Sequence, residues 1–422
     1  MRAVVVALGK IGLPIAVQIG LRGHAVIGCD ADPRVVDQVN RGVEPFPGEA
    51  GLQDALSELI PAGRLRATGD TTAAVAEGAD LVIAVPPLVV DSDARPDYAI
   101  LDAVVRDIGR GLRAGTTVCI ETTLPVGTTR NRVAPALAEL SGLRSEEDFF
   151  TIHSPERVYS GRIFRDLVAY PKLVGGLSEP GEARGVELYE SFLDAEVRGM
   201  GSAEAAELTK LAETTYRDVN IALANEFARF ADTLGVDIER VIDAANSQPF
   251  SHVHRPGVAV GGHCIPVYPR FYLAGDSAAR LPAVAREVNE RMPAYAVDLL
   301  AGDLGDDLSG KRVLILGVTY RGDVKETAFS GAFAVRRELE RRGSLAVASD
   351  PLYGAEELRS LGFTPWGGES VDAAIVQADH SSYARLDSSD LPGVRALVDG
   401  RGVLDPAVWV AAGVAFRRIG RP

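Results

Sequence analysis

The stretch that decides the fold is Arg2-Ala3-Val4-Val5-Val6-Ala7-Leu8-Gly9-Lys10-Ile11-Gly12-Leu13, at the start of the chain. Arg2 to Leu8 is a β-branched run of the kind that forms a short buried strand. Gly9 to Gly12 interrupts it, and from Leu13 to Arg22 the apolar positions recur at helical spacing. The run therefore predicts a strand, a tight turn and a helix. Within the turn, Gly9 lets the backbone approach a pyrophosphate and Gly12 lets the helix pack closely on the strand, while Ala7 replaces the first glycine of the dinucleotide fingerprint. A second strand, His24 to Cys29, ends at Asp30, placed to accept hydrogen bonds from a ribose hydroxyl pair. A carboxylate there repels a 2′-phosphate, so NAD is expected over NADP. Lys10, Ile11 and Arg34 join the cofactor set, although Arg34 is equally readable as a solvated helix residue. A glycine turn alone serves close packing without any cofactor; the acid at this distance is the second signal.

Further on, strand signals at Leu81 to Val85 and Thr117 to Ile120, separated by an amphipathic stretch from Tyr98 to Leu112, continue the alternation of a parallel doubly wound sheet. Ligands of such sheets sit at the carboxyl ends of strands. That puts Val85, Pro86 and Pro87 and then Glu121, Thr122 and Thr123 beside the cofactor, the threonines being equally readable as strand-end caps. Ile152-His153-Ser154-Pro155-Glu156-Arg157 reads as a strand running into a proline turn, and Leu173-Val174-Gly175-Gly176 as another strand and turn. A long helical run from Ala203 to Gly235 follows. On it Glu207, Lys210, Thr214 and Arg217 share one side, either as a solvated ladder or as the lining of a site. Tyr216, Asn220, Asn225 and Glu226 interrupt it with more polar groups than a core helix needs. Lys311 to Gly317 is a strong buried strand leading to Tyr320 and Arg321, with a helix at Ala332 to Arg342 and strands at Leu345 to Ser349 and Ala373 to Val376. This second strand-turn-helix unit has no glycine fingerprint, and it either holds a nucleotide or serves as scaffold. The expected fold is α/β: two Rossmann-like doubly wound domains, 1–195 and 301–422, joined by a long central helix with a helical middle domain, 196–300.

Composition narrows the function. The 422 residues are too many for one ordinary core, and 46% hydrophobic with 24% charged residues is globular. A net charge of -14 argues against a nucleic-acid or anionic-membrane partner. Three widely spaced cysteines, Cys29, Cys119 and Cys264, suggest neither a disulfide frame nor a metal site. With no signal-peptide layout and no apolar run of membrane-spanning length, a reducing cytoplasm is expected.

Chemistry concentrates in Val258-Ala259-Val260-Gly261-Gly262-His263-Cys264-Ile265-Pro266, which sets a cysteine in a glycine-hinged loop. A thiol there is placed to add to an aldehyde carbon, with Gly261 and Gly262 permitting close approach to the main chain. A lone cysteine in an apolar segment is more often a buried structural residue, and the Gly-Gly-His context shifts the balance toward function.

With these pieces in order, nearly the whole chain resembles the UDP-glucose/GDP-mannose dehydrogenase family, closest to the branch oxidising UDP-N-acetylhexosamines. The matching text is Leu8-Gly9-Lys10-Ile11-Gly12-Leu13-Pro14, Glu121 through Thr129, Ser154-Pro155-Glu156-Arg157, Tyr216 through Ala222, and Pro256-Gly257 through Pro266. The resemblance implies a four-electron oxidation of a nucleotide-sugar C6 alcohol to a carboxylate with two NAD per turnover, and a homodimer built on the central helices. It also implies that Cys264 is the nucleophile, forming a thiohemiacetal and then a thioester. Lys210 then stabilises oxyanions, Glu156 serves thioester hydrolysis and Thr122 positions water. The implied substrate contacts are Glu156, Arg157, Lys210, Thr214, Gly261, Gly262, Tyr320 and Arg321.

The chain also departs from the family pattern. Tyr268 stands where an aspartate is usual four residues after the cysteine, Thr214 replaces an asparagine, Phe250 and Ala328 replace arginines, and Pro87 replaces a threonine. These departures leave two other readings open: a redox variant that stops after two electrons or epimerises its sugar, and a nucleotide-sugar-binding protein without turnover.

Overall fold

In a computed structural model, which describes residues 1–46, 48–159 and 161–421, the opening β-branched run is a central strand, Arg2–Val6. Ala3, Val4, Val5 and Val6 are all buried, as expected for a parallel strand covered on both faces. The chain divides into two compact units. One is Met1–Glu213 with Arg270–Asp276, the other Thr214–Pro269 with Ser277–Pro422.

In the first unit eight of the described strands form one sheet in the order Leu65–Thr68, Ala25–Cys29, Arg2–Val6, Leu81–Ala84, Thr117–Ile120, Phe150–His153, Lys172–Gly176, Val197–Gly199, and Val89–Val90 pairs separately with Pro96–Asp97. The first six of the sheet are parallel, as expected of the doubly wound sheet, and numbered in chain order they run 3-2-1-4-5-6 across it. Lys172–Gly176 then runs antiparallel to Phe150–His153, and Val197–Gly199 is parallel to Lys172–Gly176. The order reverses between Arg2–Val6 and Leu81–Ala84. The crevice at that switch point is framed by the Ala7–Gly12 turn and by Val85–Pro86. Helix Gly12–Leu21 is buried on nearly every side and packs Leu13, Ile15, Val17 and Ile19 into the core.

The second unit has its own parallel sheet, in the order Leu345–Ser349, Arg312–Leu316, Ala373–Val376, Ala396–Asp399, Ala415–Arg418. Numbered along the chain this is 2-1-3-4-5, the other common doubly wound order. Val313, Ile315, Ala373, Ile375, Ala396 and Val398 cover one face of it against Met292, Ala296, Val297 and Leu300, an i, i+4, i+5, i+8 stripe on helix Arg280–Asp303. The long central helix is Ala203–Leu234, with the boundary between the units inside it. Ile238–Asn246, Tyr268–Gly275 and Arg280–Asp303 supply the helices that follow. Among the described residues no helix is long and apolar enough to cross a membrane.

Candidate active site

The turn after the first strand is built for close approach. A Cβ on Gly12 would lie 2.0 Å from the Ala7 carbonyl oxygen, so no other residue fits, whereas a Cβ on Gly9 would meet nothing within 4 Å and points into open space. Ala7 keeps the left-handed backbone, φ 73°, that a glycine would adopt freely, so the fingerprint conformation survives the departure in sequence. Helix Gly12–Leu21 has no side-chain cap and no acid in its first turn; there the Leu13 and Ile15 N–H groups donate to the Gly9 and Ile11 carbonyls, and Pro14 has no N–H. Asp30 stands at the end of the neighbouring strand. Its Oδ2 accepts the Leu8 N–H at 2.8 Å and its Oδ1 the Asp32 N–H at 2.8 Å, which orients the carboxylate and still leaves acceptor capacity. These residues fit a dinucleotide with a free ribose hydroxyl pair. The Arg34 guanidinium, meanwhile, is drawn to Asp32, its NH2 group 2.8 Å from Oδ2, and its side chain is otherwise exposed.

Beside this turn, Thr122 donates its hydroxyl to the Pro86 carbonyl at 2.5 Å, tying together the ends of two adjacent strands. Glu156 follows strand Phe150–His153. Its Oε1 accepts the N–H groups of Arg157 (2.6 Å) and Val158 (3.0 Å), and its Oε2 accepts from the Lys172 ammonium at 3.0 Å. Burial pushes the Glu156 pKa up, but Lys172, the Arg157 N–H and Lys210 outweigh it and hold the carboxyl below its usual range. Arg157 pairs with Glu213 at 2.5 Å and donates to the Pro171 carbonyl. Lys172 also lies 3.0 Å from Glu121 Oε1, which takes the Tyr189 hydroxyl as well. Burial pushes Glu121 up to about 7 against the pull of Lys172.

Glu207 does not belong to a solvated ladder. It is fully buried and accepts the N–H of Gly127 (2.5 Å) and both the N–H and hydroxyl of Thr129 (2.9 and 2.7 Å), capping the helical segment that starts at Thr129. On the same helix Lys210 is half-buried, Thr214 buried and Arg217 exposed.

In the second unit the polar residues of the long helix hold the cysteine loop. Asn220 accepts the His254 N–H at 2.9 Å and donates to the His252 carbonyl at 2.7 Å. Asn225 accepts the Gly257 N–H at 2.9 Å and donates to Asn289, itself bound to Asp218 in a buried pair with Arg286. Past this clamp, the Gly262 N–H donates to the Ala328 carbonyl at 2.8 Å. A Cβ on Gly261 would lie 2.7 Å from the Tyr320 Cβ, and Gly262 has φ 88° with the Tyr320 ring 3.1 Å from its would-be Cβ. What approaches these glycines closely is therefore Tyr320, and the packing presents Cys264 exposed, its carbonyl accepting the Tyr268 N–H. Cys29 and Cys119 are buried, and burial pushes their thiols up, Cys29 to about 12. Arg321 lies beside the Tyr320 ring, 5.7 Å from its centroid.

The second sheet repeats one feature of the first. Asp350, at the end of its second strand, accepts the Val318 N–H at 2.7 Å as Asp30 accepts that of Leu8. Here, however, the carboxylate is covered, with His380 Nε2 3.1 Å away.

Of the residues expected at the site, Gly9, Lys10, Ile11, Gly12, Asp30, Arg34, Val85, Pro86, Thr122, Glu156, Arg157 and Lys210 belong to the first unit, and Thr214, Gly261, Gly262, Cys264, Tyr320 and Arg321 to the second. Lys172 and Tyr189 escaped the reading of the sequence. The available signal was a lysine entering an apolar strand directly after Tyr170-Pro171.

Residues 1–193 match the UDP-glucose/GDP-mannose dehydrogenase family, NAD binding domain, and residues 204–291 match the same family's central domain. The chain is 35% identical to a UDP-N-acetyl-D-mannosamine dehydrogenase of Pyrococcus horikoshii, covering 100% of this chain and 99% of that protein. It is 32% identical to an NDP-N-acetyl-D-galactosaminuronic acid dehydrogenase of Ralstonia nicotianae, covering 97% of each. Its fold superposes on the structure of a UDP-D-ManNAc dehydrogenase from Pyrococcus horikoshii with a TM-score of 0.90, at 33% identity over 100% of this chain and 99% of that one. With the glycine turn, the ribose acid and the exposed cysteine in place, the chain belongs to the UDP-glucose/GDP-mannose dehydrogenase family and is an NAD-dependent nucleotide-sugar dehydrogenase.

Proposed function

We propose that this enzyme oxidises a UDP-linked N-acetylhexosamine at C6 from alcohol to carboxylate. The substrate class comes from the relatives named for UDP-N-acetyl-D-mannosamine and NDP-N-acetyl-D-galactosaminuronic acid. The observation that carries the mechanism is Cys264, an exposed thiol on a loop whose backbone is fixed by Asn220, Asn225 and the packing on Tyr320. NAD, held by Gly9, Lys10, Ile11, Gly12, Asp30, Val85, Pro86 and Thr122 with Arg34 at the edge, supplies the hydride acceptor for each of two oxidations. Cys264 adds as thiolate to the C6 aldehyde to give a thiohemiacetal, and the second oxidation leaves a thioester. Lys210 meets the oxyanion in both stages, and Glu156 takes the proton from the water that releases the acid. Arg157, Thr214, Gly261, Gly262, Tyr320 and Arg321 complete the sugar-nucleotide contacts. We assign 1–195 to cofactor binding, 196–300 to a helical dimer interface and 301–422 to nucleotide-sugar binding, and place the enzyme in the cytoplasm.

NADH formed per sugar consumed, across UDP-N-acetylmannosamine, UDP-N-acetylgalactosamine and UDP-glucose, tests this reading. Two NADH with an acid product are expected from an N-acetylated sugar, and Cys264→Ser should abolish acid formation while leaving nucleotide-sugar binding intact. Unchanged acid formation in that variant would remove the assigned nucleophile. Tyr268, in place of an aspartate, favours a second reading of a single oxidation or an epimerisation, and one or no NADH with an altered sugar would support it.

A further inference from the structure

Lys172 opens a buried strand with 6% of its surface exposed, and the mechanism above gives it no part. An ammonium buried this far costs several kcal/mol unless it is paired, and one carboxylate is enough to pair it. Here there are two, Glu121 Oε1 and Glu156 Oε2, each 3.0 Å from Nζ, with the Tyr189 ring beneath the ammonium at 5.2 Å. Two buried carboxylates sharing one cation compete for it. Glu121 also draws on the Tyr189 hydroxyl, while its Oε2 has no partner. Glu156 has one oxygen bound by its own turn and offers the other to Lys172. The remaining charged or titratable groups around them are Lys210, Arg157 (already engaged by Glu213), Cys119 against Tyr189, the buried His153, and Asp166, which shares a small cavity with Glu156 and Lys172.

We propose that Lys172 is a positioning residue of the oxidation: its ammonium keeps the Glu156 carboxylate ionised and aimed, while Glu121 holds the ammonium from its other side. The inference rests on the role proposed for Glu156. Without Lys172, Glu156 titrates higher and the base is lost earlier as pH falls. Glu121, held up by burial, takes its proton before Glu156 does, and Glu156 then has the ammonium to itself.

The test is the pH profile of kcat for acid formation from UDP-N-acetylmannosamine and NAD, in the full chain. Lys172→Gln should move the acid limb up by about one unit or more, as expected for loss of an opposite charge in contact, with KM for both substrates little changed. Lys172→Arg should restore it, and Glu121→Gln, which removes a carboxyl already neutral in that range, should leave it in place. A limb that does not move in Lys172→Gln, or that moves as far in Glu121→Gln, overturns the proposal. If Lys172→Gln fails to fold, the infrared difference between the wild type and Glu156→Gln at pH 4 decides it: an ionised Glu156 supports the proposal and a protonated one overturns it. If Glu156→Gln forms acid at the full rate, the role given to Glu156 is what fails, and this proposal falls with it; a slow Glu156→Gln beside an unshifted Lys172→Gln rejects the proposal alone.

Discussion

His153 ends its strand fully buried, and neither ring nitrogen has a hydrogen-bond partner among the described residues. Burial, helped by the charge of Lys172, pushes its pKa down to about 3, so the ring is neutral in the fold. The unfolded chain takes up that proton near pH 6.5. The stability that His153 contributes is therefore present above pH 6.5 and is lost as pH falls toward 3; between pH 7 and 5 the loss is about 2 kcal/mol. Glu121 opposes it, since its folded pKa of about 7 lies above the unfolded value and its contribution is lost as pH rises through 7. In His153→Phe the fall in thermal midpoint from pH 7 to pH 5 should be shallower than in the wild type; parallel curves would mean that the ring takes up its proton in the folded state. Single residues were legible in the sequence where their type had a local reason. Gly12 was read from spacing, and a Cβ there strikes the Ala7 carbonyl. Lys172 was not, because its reason is Glu121 and Glu156, which are distant in the chain and meet it only across the sheet.

Among the elements, the helical segment beginning at Thr129 depends on an acid from another helix. Glu207→Ala would leave two N–H groups and a hydroxyl without their acceptor in a buried place, at about 1–3 kcal/mol for each group stranded. A loss of about 3 kcal/mol is expected in denaturant unfolding followed by a probe in the first unit. A loss under about 0.5 kcal/mol, the scale of an ordinary surface change, would show that water replaces the carboxylate. Elements with a full apolar period were readable close to their bounds. The run expected from Ala203 to Gly235 is the helix Ala203–Leu234, and Thr117 to Ile120 is a strand as expected. Leu65–Thr68, Val197–Gly199 and Ala415–Arg418 were not read. Each is a short strand at or near a sheet edge with exposed or half-exposed positions, so no apolar run marks it. The interruptions on the long helix had a meaning that only the fold supplied: Asn220 and Asn225 hold the backbone of the loop that leads to Cys264.

For the whole molecule, strand order lay outside local reading. Both sheets begin with a strand followed by a helix, yet one runs 3-2-1-4-5-6 through its parallel part and the other 2-1-3-4-5. Assembly has a clearer mark. Leu223, Phe227, Phe230 and Leu234 recur at steps of four, three and four along one side of helix Ala203–Leu234, with 43%, 42%, 63% and 58% of their surfaces exposed. Such a stripe is the kind of apolar face that a second copy covers in the proposed dimer. The wild type is expected to sediment as a dimer and the double variant Phe227→Asp, Phe230→Asp as a monomer with unchanged far-UV circular dichroism; a wild type that sediments as a monomer would remove the dimer from the proposed function.

Of the three cysteine thiols in the chain, two are sealed inside the sheet of the first unit and reluctant to ionise, and the third is exposed on the glycine loop. The native protein is therefore its own single-site labelling scaffold. One equivalent of an alkylating dye marks each folded chain at Cys264, and two further equivalents, taken up by Cys29 and Cys119, report unfolding.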